Sequence, residues 1–85
     1  MTPEIFKRKI QPYSTWRHSG SDANFGYYIG KRFVARLYSW DTFSDISIFY
    51  NGHEYNRSFH GKAYSRRYLV TLAKQMFAEI VEVTE

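Results

Sequence analysis

The stretch Arg57 to Arg67, RSFHGKAYSRR, holds the residues whose types and spacing most suggest chemistry. Guanidinium groups bind phosphate or carboxylate in bidentate fashion, and a lysine adds a point charge. Gly61 allows close approach of the backbone. Ser65 is placed to cap a helix, whose first turn presents unpaired N–H groups and the positive end of the helix dipole. Arg66 and Arg67 stand in the turn where acids stabilise a helix, and each base there costs about 0.3–1 kcal/mol. A bound phosphate would reverse that sign. The residues expected to contact a nucleic-acid backbone, RNA or DNA, are therefore Arg57, His60, Lys62, Arg66 and Arg67. The alternative is that the two arginines reach into solvent or pair with Glu54 or Asp45.

Catalysis finds less support. Histidine occurs at positions 18, 53 and 60, and none has a partner at helical i, i+4 spacing or a place in a metal-ligand motif. The sequence contains no GxSxG, Walker or GxGxxG motif. Asp41, Asp45 and Glu54 are carboxylates that read as turn and exposed-face residues. With no cysteine there is no disulfide, thiolate nucleophile or Cys-type zinc site. The expectation is a non-enzymatic protein without cofactor or metal.

The elements that must position these residues can be read from pattern. Thr2-Pro3 has the form of an N-cap followed by proline at the first helical position. Ile5, Phe6 and Ile10 give a short N-terminal helix one apolar side, and Pro12 is expected to end it. Residues 19–26, SGSDANFG, read as a loop. Tyr27 to Trp40 is rich in aromatic and β-branched residues, and Gly30-Lys31 suits a hairpin turn. Strict alternation places Phe33, Ala35 and Leu37 on one face and Val34, Arg36, Tyr38 and Trp40 on the other. Asn51-Gly52, flanked by alternating segments, is the strongest short-range hairpin signal. A two-residue turn there sets Tyr50 opposite His53, Ile48 opposite Tyr55, and Ile46 opposite Arg57. Ile46, Ile48, Tyr50 and Tyr55 then share a core face. Asp45, Ser47, Phe49, Glu54, Asn56 and Ser58 share the other.

Residues 65–82 read as a helix, with Leu69, Leu72, Ala73, Met76 and Ile80 as its apolar stripe. Val70, Phe77 and Val81 form an apolar shoulder beside that stripe. The N-terminal segment is expected to cover it, and a second copy of the chain, in a homodimer, is the other candidate. Together these elements predict one α+β domain over residues 1–85. Its antiparallel sheet has three or four strands, the C-terminal helix packs on one face, and a short helix precedes the sheet.

The order of these elements, with the run GKAYSRRYLVTLAKQMFAEI, resembles the double-stranded RNA-binding domain. In that family a basic pair opens the last helix and contacts phosphates across the RNA major groove. The resemblance implies that Lys62, Arg66 and Arg67 lie on the backbone of the nucleic acid. Modules that lay a three-stranded sheet in the DNA major groove offer another comparison. There Arg36, Tyr38 and Phe49 would be candidates, but Asp45 and Glu54 on that face would repel phosphate.

A second function class follows from composition. Of 85 residues, 20% are aromatic, and Tyr, Trp and Arg dominate protein-interface hot spots. Tyr13, Trp16, Phe25, Tyr27 and Tyr28 lie in or beside a loop-like region, with Arg17, Arg32 and Arg36 nearby. In size and style the chain is similar to small phage-encoded inhibitors, including anti-CRISPR proteins. That likeness implies a host protein or nucleoprotein complex as partner.

The net charge of +4 is unevenly spread. Residues 1–36 carry seven bases and two acids, whereas residues 37–85 carry five bases and six acids. The overall charge is a moderate bias toward anionic partners. No apolar run reaches the roughly 18 residues a membrane span needs, and the N-terminus lacks a secretory pattern. The expected place is the cytoplasm.

Overall fold

A computed structural model describes residues 2–10, 17–18, 24–29 and 32–84. Thr2 caps the first helix, α1 (Pro3–Lys9), its Oγ1 accepting from the N–H of Ile5 at 3.3 Å. Proline occupies the first turn, where its missing N–H loses nothing. The helix stops at Ile10, which takes an extended conformation two residues before Pro12.

Five strands follow: β1 (Arg17–His18), β2 (Asn24–Ile29), β3 (Arg32–Trp40), β4 (Phe43–Tyr50) and β5 (His53–His60). They form one antiparallel sheet whose spatial order is the chain order. Four are substantial, and β1 adds a two-residue edge. The chain ends in α2 (Arg66–Thr84). The architecture is α+β, as the sequence patterns predict.

The β4–β5 hairpin has the register expected from its turn, with Tyr50 opposite His53, Ile48 opposite Tyr55 and Ile46 opposite Arg57. Asn51 and Gly52 have φ values of +52° and +78°, the pair of left-handed conformations that a type I′ turn requires. Ile29 pairs with Arg32, so two residues connect β2 to β3. The Gly30-Lys31 turn itself lies outside the described residues.

Strand β3 departs from strict alternation. Tyr27 pairs with Ala35 but Tyr28 pairs with Phe33, so Val34 is an extra residue, a β-bulge. Val34 and Ala35 are both buried, and the side-chain alternation changes phase. Phe33 therefore does not join Ala35 and Leu37 in the core. Its ring meets Phe49 on the opposite face, with centroids 5.1 Å apart.

The core lies between one sheet face and the two helices. Leu37, Ile46, Ile48 and Tyr50 meet Leu69, Ala73, Met76 and Ile80 of α2. The shoulder of α2 is covered within the chain. Phe6 of α1 stacks on Phe77 at 4.3 Å with the planes 3° apart, and both rings are fully buried. Val70 is also buried, and Val81 is half-buried against the core. This corrects the homodimer expectation, because Val70 and Phe77 have no surface left for a second copy. Burying two phenylalanines contributes about 1.5–3 kcal/mol each, and their stacking about 0.5–1.5 kcal/mol more. Among the described residues, no helix is long and apolar enough to cross a membrane.

Candidate nucleic-acid interface

The helix-start segment is held by a residue from inside the sheet. Ser44, fully buried on β4, donates its hydroxyl hydrogen to the carbonyl of Lys62 at 2.7 Å and accepts from the N–H of Tyr64 at 2.9 Å. One residue before Lys62, Gly61 takes φ +80° and its N–H donates to the carbonyl of Thr42 at 2.7 Å. Ser65 then caps α2, its Oγ accepting from the N–H of Tyr68 at 3.2 Å. Its carbonyl accepts from the N–H of Leu69 at 2.9 Å. Three successive backbone anchors thus fix residues 61–65, and with them the starting points of Lys62, Arg66 and Arg67.

Aromatic rings flank Tyr64 within this segment. Phe59 meets Tyr64 at 5.5 Å, and Tyr64 meets Tyr68 at 4.7 Å. On the open sheet face Tyr38, Phe43 and His60 form a second row, with centroid separations of 6.0 and 5.1 Å. Trp40, which pairs with Phe43, is 65% exposed, and Tyr68 is 47% exposed. The strand ends and the start of α2 therefore bring bases and aromatic rings to one end of the molecule. The first turn of α2 contains no acid and its last turn no base, the reverse of what its dipole favours.

The five residues expected to contact phosphate do not all meet. Lys62 and Arg67 are exposed and Arg66 is half-buried at the helix start, while His60 lies on the open face beside Phe43. Arg57 belongs elsewhere. Its guanidinium donates to the Glu79 carboxylate at 3.2 Å. Glu79 lies thirteen residues along α2 from Arg66, about 20 Å at 1.5 Å per residue.

Comparison with protein-family models, with curated proteins and with solved structures finds no match to this chain.

The open face is more polar than its aromatic margins. Asp45 accepts from Asn56 Nδ2 at 2.9 and 3.0 Å and from Ser58 Oγ at 2.7 Å. Arg36 lies 3.9 Å from the same carboxylate. Ser47, fully buried, donates to Glu54 at 3.2 Å and accepts from Asn56 at 2.9 Å. The two acids expected on this face are therefore there, at the centre of a hydrogen-bonded network. Phosphate approaching it would meet negative charge.

The aromatic and arginine set of the second function class is described only in part. Tyr13 and Trp16 lie outside the described residues. Arg17, Phe25, Tyr27 and Tyr28 fall on β1 and β2, opposite Gly26, Leu37, Ala35 and Phe33 respectively. Arg32 is exposed, and Arg36 is engaged by Asp45 and Ser47. Among the described residues, no group of three or more His, Asp or Glu stands where it could hold a metal ion.

Sequence reasoning missed Ser44, Trp40 and Phe43 as parts of this end. A serine at a core-face position of a strand does point to a bonded partner, because buried hydroxyls are satisfied. It does not say which loop supplies that partner.

Proposed function

We propose that the protein is a non-enzymatic binding protein that grips the phosphate backbone of a nucleic acid with Lys62, Arg66 and Arg67. His60 lies at the margin of the contact. One observation carries the reading: Ser44 and Ser65 hold the backbone of a basic loop and helix start that work against the helix dipole. Ordering such a loop before binding reduces the entropy lost on contact. The exposed rings of Trp40 and Tyr68 offer bases a stacking surface beside the phosphate contacts. Arg57, tied to Glu79, is left out of this contact.

The test is a salt titration with labelled RNA and DNA, single- and double-stranded. Three phosphate contacts on a duplex weaken binding roughly forty-fold between about 50 and 200 mM salt. The double variant Arg66→Glu, Arg67→Glu is expected to lose binding while circular dichroism stays unchanged. Absence of binding to every probe at low salt would sink the proposal. The inhibitor class, acting on a host protein through the Tyr13–Arg36 set, would then take its place. Trp16→Ala and Tyr28→Ala would be its first probes.

A further inference from the structure

The strand register lines up aromatic rings on the open face of the sheet. Trp40 pairs with Phe43, and Phe43 pairs with His60. Paired residues of neighbouring strands project to the same side, so these three form a row across the ends of β3, β4 and β5. Tyr38, two residues before Trp40, shares that side and meets Phe43 with ring centroids 6.0 Å apart. Phe43 in turn meets His60 at 5.1 Å. Tyr38 and Phe43 are half-buried, whereas Trp40 and His60 are exposed. The row contains no aliphatic side chain.

Charge is distributed unequally around this row. Inward of it on the same face, Arg36 is engaged by Asp45 and Ser47, and Ser47 also bonds the Glu54 carboxylate. Arg36 balances Asp45, and Glu54 is left over, so this group offers a phosphate no cation. Positive charge lies at the strand ends instead. Ser44, the residue after Phe43, points into the core and holds the Lys62 carbonyl. Gly61 is bonded to Thr42, in the turn between Trp40 and Phe43. The loop that carries Lys62 is therefore fastened to the same strand ends as the rings. Lys62 is exposed there, and Arg67 is exposed in a first turn of α2 that contains no acid.

We propose that this row makes the ligand a single-stranded nucleic acid and not a duplex, an inference that rests on the phosphate contact at Lys62, Arg66 and Arg67. Bases stack on the rings around Trp40, and the phosphates follow the basic loop. A ring stacks on a base only where that base has parted from its neighbours. A duplex keeps its bases stacked inside and its phosphates outside. It can reach the cations but cannot use the rings. A single strand laid across the strand ends does both at once, because every nucleotide supplies a flat ring and a phosphate. That pairing matches a row of rings bordered by cations. Every base has a face to stack, so binding is expected to tolerate sequence and to accept DNA as well as RNA.

The experiment follows the fluorescence anisotropy of labelled probes of about twelve nucleotides as the full chain is added. The probes are single-stranded RNA, single-stranded DNA, the same sequences annealed as duplexes, and an abasic strand that keeps its phosphates but has no bases. Both single strands should bind at least about tenfold more tightly than the duplexes and the abasic strand. Trp40→Ala, a change at a side chain that is 65% exposed, should weaken the single strands about tenfold and leave the abasic strand unaffected. Trp40→Phe keeps a ring and should retain most of the affinity. The salt dependence of Trp40→Ala should match that of the parent, because no phosphate contact is lost, whereas Arg66→Glu with Arg67→Glu should flatten it. Equal affinity for single strand and duplex would overturn this inference and leave the phosphate contact standing. So would single-strand binding indifferent to Trp40→Ala, which would leave the rings to a protein partner. Absence of binding to every probe at low salt would overturn both. The abasic strand decides the matter on the unaltered chain even if Trp40→Ala fails to fold.

Discussion

One hydroxyl, Ser44 Oγ, joins the interior of the sheet to the loop that leads into α2. Ser44→Ala is expected to strand the Lys62 carbonyl and the Tyr64 N–H, destabilising the fold by about 1–3 kcal/mol in urea unfolding. Nucleic-acid affinity should fall as well, because the loop then needs ordering on contact. An unchanged urea midpoint would show that the two bonds contribute nothing. The sequence makes Lys62, Arg66 and Arg67 legible as a basic cluster because they sit beside a helix cap. It places Arg57 with them by proximity alone. Arg57 points from an extended strand, three residues and about 10 Å before His60, toward the far end of α2. Sequence distance is a poor guide to spatial distance across a strand-to-helix corner.

At the scale of elements, the hairpin and α2 are legible because local rules suffice. Asn51-Gly52 fixes a turn, the turn fixes a register, and the register fixes two faces. Gly52→Ala is expected to cost about 1–2 kcal/mol by thermal unfolding, since φ is +78° there. Nothing lies within 4 Å of an added methyl group, so the cost is one of backbone conformation. Gly52→Asn should be milder, because asparagine tolerates the left-handed region. A fully stable alanine variant would mean that the turn relaxes to another type. The bulge at Val34 is the element-scale feature that pattern could not supply. An alternating run looks the same whether or not one residue is skipped by the neighbouring strand. Alternation therefore places Phe33 in the core, whereas it stands with Phe49 on the open face. The covered shoulder of α2 depends on two elements far apart in sequence, so periodicity marks it as apolar without naming what covers it.

At the scale of the whole molecule, the sheet is a meander in which every strand pairs with its sequence neighbour. The first and last elements, α1 and α2, make the main contact that closes the chain on itself. Phe6→Ala should destabilise the protein by about 3–5 kcal/mol, the usual range for a buried phenylalanine. The same contact has a kinetic meaning. Neighbour-to-neighbour pairing closes only short loops, so the sheet can assemble by successive hairpins at little entropic cost. The Phe6–Phe77 stack joins residues 71 positions apart, so it is expected to form after the transition state for the sheet. In a chevron analysis, Phe6→Ala is then expected to leave the refolding limb in place and to raise the unfolding rate roughly a hundredfold or more. A slowed refolding limb would place α1 in the nucleus instead. The expected pattern would make the stacked pair a latch, setting how long the native state lasts while having little to do with how fast it is reached.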